Sequence, residues 1–180
     1  ISACLVGSEM CIRDRWISHG GHYPSYHLRV FRREKGACED RLYDQHFIVE
    51  GPLIRVKGDL VDVITTDLDR WITRHVRWAG LEAQEQLNKA GKQESKQTVR
   101  GHLTGTPIEH KRWLRKSIYE RLPLFARVFA YFAYRYVLRL GFLDGVQGLV
   151  FHFLQGFWYR FYIDAKIWEF HYMHREQHDQ

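Results

Sequence analysis

The chain has 180 residues, 45% of them hydrophobic and 27% charged, a composition that excludes a disordered polypeptide. The length fits one domain, or one small domain with an appendage. Aromatic residues make up 15% of the chain and the formal net charge is +6, which favours nucleic acid, an anionic membrane surface or a phosphorylated substrate as the partner.

Residues 1–15 do not begin with Met and have no clean strand or helix period. The run CLVGSEMCIRDR resembles a peptide that recurs at the ends of metagenomic gene predictions, where sequencing-adapter bases have been translated. We therefore interpret residues 1–15 as a non-native segment and expect the native protein to continue upstream of Trp16. The alternative is a short N-terminal strand and turn. Without Cys4 and Cys11, Cys38 is a lone cysteine, which predicts no disulfide framework and indicates a reducing compartment.

Residues 16–24 form a turn-rich segment with Gly20, Gly21 and Pro24. His19 and His22 are of a type that ligates metal, but neither has a cysteine or acidic partner at a metal-site spacing. We interpret both as loop histidines.

The run Leu28-Arg29-Val30-Phe31-Arg32 alternates apolar and basic residues, which predicts a strand, and Gly36 predicts a turn after it. Four acids and a histidine then lie close together in the sequence. An adjacent Glu-Asp pair beside arginines suits a reaction in which one carboxylate accepts a proton while cations hold an anion. The same pair is also typical of a helix N-terminus, where it would bind free amides and interact with the dipole. The clustered residues are Glu39, Asp40, Asp44, His46 and Glu50.

Two short apolar runs, residues 47–49 and 53–56, predict strands on either side of a Gly-Pro turn. Residues 62–88 then repeat apolar side chains at three- and four-residue steps, which predicts a helix with one buried face. Asp67 and Asp69 near its start and Lys89 near its end match the helix dipole.

Within this helix, Arg74 and Arg77 lie one turn apart, and Trp78 lies one turn from Arg74. Together with His75, they form a cluster that can bind a diphosphate and stack on a sugar ring. The alternative is a solvated arginine pair beside a core tryptophan.

Residues 89–107 are polar and contain glycine, which predicts a linker. Residues 108–180 are basic at first and then rich in aromatic and aliphatic side chains, with a glycine-bearing break at 141–145. Arg127, Arg135 and Arg139 argue against a simple membrane-spanning helix and suggest one face of an amphipathic hairpin lying in the membrane interface. The alternative is a soluble helical hairpin packed on the preceding domain.

Three separated blocks resemble bacterial family 2 glycosyltransferases of lipopolysaccharide and exopolysaccharide assembly, in the same order. They are HLRVFRR followed by CEDRLYDQHF, the helix WITRHVRWAGLEA, and GFLDGVQGLVFHFLQGFWYRFYIDAKIWE. The resemblance extends over residues 16–169. It implies an α/β fold, in which residues 16–88 are the C-terminal part of a GT-A (Rossmann-like) catalytic domain. Residues 108–180 would follow as a membrane-associating amphipathic helical hairpin.

The resemblance also implies a chemistry. Members of this kind invert the anomeric centre in one displacement, with a carboxylate as general base and a divalent metal, Mg²⁺ or Mn²⁺, at the departing nucleoside diphosphate. The family's Glu-Asp motif corresponds to Glu39 and Asp40, so Asp40 is the expected base and Glu39 its supporting acid. Its Gln-x-x-Arg-Trp element corresponds to Arg74 through Trp78, with arginine in place of glutamine.

The nucleotide-binding strands and the Asp-x-Asp metal motif precede this region in the family. The Asp67-Leu68-Asp69 run lies on a predicted helix in the wrong half and is not that motif. The metal ligands are therefore expected outside the chain, which would be inactive on its own. The expected partners are a nucleotide-sugar donor, a glycan or lipid-linked acceptor and the inner face of the bacterial inner membrane, reached from the cytoplasm.

Two other functions remain open on the sequence. A non-enzymatic membrane-interface protein would use the basic, aromatic hairpin for anchoring. Nucleic-acid binding rests on net charge alone, because the arginines are interleaved with apolar residues and form no dense basic stripe. We do not expect a nucleic-acid partner.

Overall fold

A computed structural model describes residues 3–12, 15–49, 51–64, 67–89 and 107–178. The chain is mostly helical and belongs to a mixed α/β class, with its strands in the N-terminal third and its helices after them. The strands are β1 (Ala3–Ile12), β2 (Arg15–Trp16), β3 (Ser25–Phe31), β4 (Gly36–Cys38), β5 (Phe47–Val49) and β6 (Leu53–Ile64).

β1 is the central strand of a four-stranded sheet. β3 and β2 pair with it antiparallel, and β6 pairs with it in parallel from Ala3↔Leu53 to Ile12↔Ile64. Residues 3–12 of the segment interpreted as non-native thus have the backbone of a strand, as the alternative interpretation expected. Its origin stays a prediction.

The predicted strand at residues 28–32 is confirmed as β3, whereas the predicted turn at Gly36 is wrong. The turn is a short 3₁₀ segment, Arg33–Lys35, and Gly36 begins β4 in an extended conformation. A Cβ atom at Gly36 would lie 2.4 Å from ring atoms of Phe31. Glycine is needed there for the close approach of the Phe31 ring, and β4 pairs with β5 as a separate antiparallel hairpin.

The predicted helix at 62–88 is observed as α1 (Leu68–Lys89). Its start was placed too early, because residues 62–64 continue β6 alongside β1. Asp67 marks the true start: its Oδ1 accepts a hydrogen bond of 2.8 Å from the backbone N–H of Arg70, as a helix-capping side chain does.

The helices after residue 106 are broken by π and 3₁₀ turns. The predicted break is confirmed: Leu140 has φ 58° and Gly145 has φ 68°, with the 3₁₀ turn Gly141–Asp144 between them. The predicted linker falls mainly on residues outside the described ones. The helices are α2 (Pro107–Ser117), α3 (Ala126–Ala133), α4 (Gly145–Phe151) and α5 (Tyr159–His178), with π turns at Tyr134–Leu138 and His152–Trp158.

The main core lies between α1 and α5. Ala79 and Ala83 of α1 are buried against Tyr159, Ile163 and Ile167 of α5. The small alanine side chains let the two helix backbones approach closely, so this contact holds α1 against the C-terminal helix.

The chain before the break packs antiparallel on the chain after it. Phe125 lies 5.0 Å from Phe161 between ring centroids, and Phe129 lies 5.0 Å from Phe157. Among the described residues, no single helix is long and apolar enough to cross a membrane. The segments Ala126–Leu138 and Gly141–Arg175 are long and apolar enough only when they are taken together, and they are bent by 68° relative to each other.

The three arginines predicted to mark one membrane-facing surface, Arg127, Arg135 and Arg139, do not share an exposed face. Arg127 and Arg135 are buried, and only Arg139 is exposed. Residues 127 and 135 are about two helical turns apart and point to the same, inner side. The interpretation of all three as a membrane-facing row is therefore wrong for Arg127 and Arg135.

Candidate active site at the β4–β5 loop

Glu39 closes the loop between β4 and β5, which comprises residues 39–46. Its backbone N–H donates to the carbonyl oxygen of His46 at 2.9 Å, and its Oε2 accepts from the backbone N–H of His46 at 2.9 Å. Only 2% of Glu39 is exposed. The buried carboxylate thus takes the place of a backbone acceptor and fixes the two ends of the loop together.

Asp40 follows directly and is exposed. The residues after it are held by helix α1: Arg41 Nε donates to Glu85 Oε1 at 2.6 Å, and the Tyr43 backbone N–H donates to Glu85 Oε2 at 3.4 Å. Asp40 therefore lies on a loop fixed on both sides, with its own carboxylate open to solvent. The alternative interpretation of Glu39 and Asp40 as a helix start is wrong, because a loop follows β4 here.

The loop contacts the arginine–tryptophan element of α1. The ring of Tyr43 lies 5.7 Å from the ring of Trp78, and the guanidinium of Arg74 lies 5.0 Å above the Trp78 ring. Arg74 and Arg77 are exposed and Trp78 is half-buried. The structure thus places Trp78 beside Tyr43 of the loop that carries Asp40, with Arg74 over the same indole ring.

His75 lies beneath this surface. It is 4% exposed, stacks on Trp71 at 3.5 Å between ring centroids, and has its Nδ1 2.8 Å from the Trp71 carbonyl oxygen. Burial and the nearby charge of Arg74 lower the pKa of His75, so the ring is neutral at pH 7. Of the four residues predicted to bind substrate, His75 alone is in the core.

A buried ionic cluster supports α1 behind the loop. Glu82 is 3% exposed; it accepts hydrogen bonds from the Tyr159 hydroxyl at 3.0 Å and from Arg160 at 3.2 Å, and it also pairs with Arg115. Burial by itself would raise the pKa of Glu82, but Arg160 and Arg115 hold it below its usual value. Glu82 and Glu85 were not predicted as functional from the sequence; the signal was a pair of acids on the apolar face of α1.

A second polar cluster fastens residues 16–24 to the helical break. Asp144 is 2% exposed and accepts hydrogen bonds from the His19 backbone N–H at 2.9 Å and the Ser18 hydroxyl at 3.2 Å, and it lies 2.7 Å from His19 Nδ1. Burial opposes ionisation of Asp144, yet the bonds from His19 hold its pKa below the usual value. The histidine that the sequence assigned to an ordinary loop is thus part of a tertiary contact.

His152 lies at the centre of the same contact and is fully buried. Cβ atoms added at Gly20 and Gly141 would lie 2.0 Å and 2.6 Å from its ring atoms, so only glycine backbone fits on these two sides. Burial and the charge of Arg135 lower the pKa of His152 to about 4. The ring is therefore neutral at pH 7.

The divalent metal implied by the resemblance has no matching ligands in the described part of the chain. No group of three or more His, Cys, Asp or Glu side chains there is arranged to hold a metal ion. The resemblance assigns the metal ligands to the region that precedes this one in the family.

Compared with known proteins, the chain matches no protein-family model, no curated protein and no solved structure. The family assignment therefore rests on the three residue blocks given above and stays a prediction.

Proposed function

We propose that the chain carries the general-base half of an inverting family 2 glycosyltransferase with a GT-A fold. One observation carries the proposal: exposed Asp40 lies on a loop that Glu39 and Glu85 fix on both sides, and Tyr43 of that loop packs against Trp78, whose ring lies under Arg74. A catalytic carboxylate needs to be open to substrate and held in one position, and this loop meets both needs.

In this function, Asp40 accepts the proton of an acceptor hydroxyl. The hydroxyl oxygen then bonds to the anomeric carbon of the donor sugar from the face opposite the leaving group, and the bond to the nucleoside diphosphate breaks with its electron pair. Arg74 and Arg77 supply positive charge for the diphosphate, and Trp78 offers a ring for stacking against a sugar. Glu39 acts as a positioning residue, because it is buried and bonds the loop rather than facing solvent.

The proposal assigns the nucleotide-sugar site and the ligands of Mg²⁺ or Mn²⁺ to sequence upstream of this chain. The acceptor is a glycan or a lipid-linked glycan of the bacterial surface, and the enzyme works in the cytoplasm at the inner face of the inner membrane. The exposed apolar side chains around the helical break support a membrane partner.

The test uses the protein extended through its upstream reading frame. Such a protein should transfer sugar from nucleotide-sugar donors, and the 180-residue chain should not. Asp40→Asn should lower kcat of the extended protein by about 10²- to 10⁴-fold, the range that general-base catalysis contributes, while nucleotide-sugar binding stays unchanged. The rate of product formation, which gives kcat, and the affinity for the nucleotide-sugar donor are measured side by side.

Asp44→Asn is the matched control, because Asp44 is an exposed acid on the same loop. Asparagine also tolerates the positive φ of 54° at that position. Full turnover by Asp40→Asn, or an equal loss in both variants, would refute Asp40 as the base. An upstream reading frame without a sugar-nucleotide domain would refute the enzyme as a whole.

A further inference from the structure

The end of the helical hairpin exposes an unusual amount of apolar side chain. We call the exposed apolar side chains of residues 137–153 the helical tip. Leu138 and Val146 are 74% and 72% exposed. Soluble proteins seldom leave large apolar patches uncovered, and such patches mark interaction surfaces. The other exposed apolar side chains of this stretch are Val137, Leu140, Phe142, Leu143, Leu149, Val150 and Phe153.

Backbone geometry holds these side chains at one end of the molecule. Leu140 is in the left-handed region at φ 58°, and Gly145 follows at φ 68°. The chain therefore turns sharply between the two helical arms, so apolar residues from both arms lie near the turn. A left-handed conformation is costly for leucine. Nevertheless, the side chain of Leu140 is 46% exposed rather than buried in compensation.

The charge around the helical tip selects its partner. Asp144 is the sole acidic residue in residues 122–158, and it is buried against His19 and Ser18. Of the three arginines in the same stretch, Arg139 alone is exposed. The apolar surface thus carries an exposed cation and no exposed carboxylate, which complements anionic lipid headgroups.

The charged side chains farther along the hairpin limit the depth of insertion. Arg127 and Asp164 are paired inside the protein, and Lys166 and Glu169 form a solvent-accessible pair on α5. Charged side chains resist transfer to the hydrocarbon layer. The stretch whose one exposed charge is Arg139 is therefore confined to the turn end of the hairpin.

We propose that the helical tip inserts as a wedge into the headgroup–acyl boundary of an anionic bilayer without crossing it. Arg139 binds lipid phosphate at the rim, and α5 stays on the aqueous side. This inference deepens the membrane partner of the proposed function and rests on it. It assigns the contact to one end of the hairpin rather than to its length.

The experiment is flotation of the full chain with vesicles of phosphatidylcholine, with or without phosphatidylglycerol. The chain should bind vesicles that contain phosphatidylglycerol more tightly than vesicles of phosphatidylcholine alone. Leu138→Glu combined with Val146→Glu should weaken binding on the order of 100-fold, because two apolar side chains lose their burial in the acyl region. Arg139→Gln should reduce the preference for anionic vesicles and leave binding to neutral ones unchanged.

The matched control is Val30→Glu combined with Ile118→Glu. These residues are 60% and 54% exposed and lie on β3 and just after α2, away from the helical tip. Circular dichroism and the urea midpoint verify that all variants fold. Wild-type binding by the tip variant, or equal losses in the control, would overturn the proposal. Self-association without vesicles that the tip variant abolishes would also overturn it, since a second copy would then cover the tip.

Vesicle flotation needs neither donor sugar nor upstream sequence, so its outcome is separate from that of Asp40→Asn. If the tip variant still floats with anionic vesicles and Asp40→Asn strongly lowers kcat, the wedge alone is refuted. Loss of flotation by the tip variant with no Asp40→Asn effect supports the wedge and refutes Asp40 as the base, whereas an upstream reading frame without a sugar-nucleotide domain refutes the enzyme.

Discussion

At the residue scale, two adjacent carboxylates lie in opposite environments. Glu39 is 2% exposed and hydrogen-bonds to the backbone N–H and the carbonyl oxygen of His46 at the base of the hairpin. Asp40, in contrast, faces solvent. The two carboxylates are neighbours on the loop after β4, and packing buries one of them and leaves the other in solvent. The buried acid positions the loop, and the exposed acid is available for chemistry.

Replacing Glu39 should therefore loosen the loop without touching solvent-exposed groups. Glu39→Ala leaves the backbone N–H of His46 without its carboxylate acceptor, which should lower the free energy of unfolding by about 1–3 kcal/mol. Hydrogen exchange at His46 should accelerate. Glu34→Ala, at an exposed acid on the neighbouring 3₁₀ turn, should change neither quantity; equal effects in both variants would show that Glu39 does not hold the loop.

At the element scale, α3 is bound to α5 by a buried ion pair. Arg127 Nε donates to both oxygens of Asp164, at 2.9 and 3.0 Å, and Asp164 Oδ2 also accepts from the Phe125 backbone N–H at 2.8 Å. Asp164 therefore fixes both the Arg127 side chain of α3 and the backbone at the start of that helix. Because both partners are buried, the pair tolerates loss of one member poorly.

Asp164→Ala should lower the free energy of unfolding by about 3–5 kcal/mol, because it leaves the Arg127 charge buried without its carboxylate. Urea denaturation measures the loss. Arg127→Met combined with Asp164→Leu removes both charges and should cost much less. If the double variant is as unstable as Asp164→Ala, the unpaired charge is not the cause.

At the scale of the whole molecule, the N-terminal loop is joined to the helical break across a long separation in sequence. Gly20 donates to the Arg139 carbonyl at 2.9 Å and accepts from Arg135 Nε at 2.7 Å. His152 lies between Gly20 and Gly141 at this contact. Protonation of His152 would place a charge where these elements meet.

Stability should therefore fall on mild acidification. The pKa of His152 is about 4 when folded and 6.5 in an ordinary setting, so the unfolded chain binds a proton first. The contribution of neutral His152 is complete above pH 6.5 and is lost as pH falls towards 4. It amounts to at most about 3 kcal/mol.

Urea midpoints between pH 7 and pH 4 measure this loss. His152→Leu should reduce the slope of the profile because it removes that ring, while buried His75, whose pKa is also lowered, continues to contribute. His171→Gln, at an exposed histidine, should leave the slope unchanged. Asp144 and Arg135 also face His152. The pKa of Asp144 is below its usual 3.8. The stability that ionised Asp144 contributes is therefore lost at a lower pH than the contribution of His152.

The sequence by itself determined the elements whose signals are local. The alternation in β3, the apolar face of α1, and the break after Leu140 each depend on residues a few positions apart. Local steric and hydrogen-bonding preferences therefore sufficed to predict them. The Glu-Asp pair and the arginine–tryptophan element were likewise recognisable as candidates before any coordinates.

Only the tertiary structure decided which residues meet. His19 and Asp144 are 125 positions apart, and Arg41 and Glu85 are 44 apart; no spacing rule relates such partners. The inward direction of Arg127 and Arg135 and the core position of His75 depend on which helix face finds a neighbour. Burial is a property of the packed molecule, so a chain read in one dimension does not contain it.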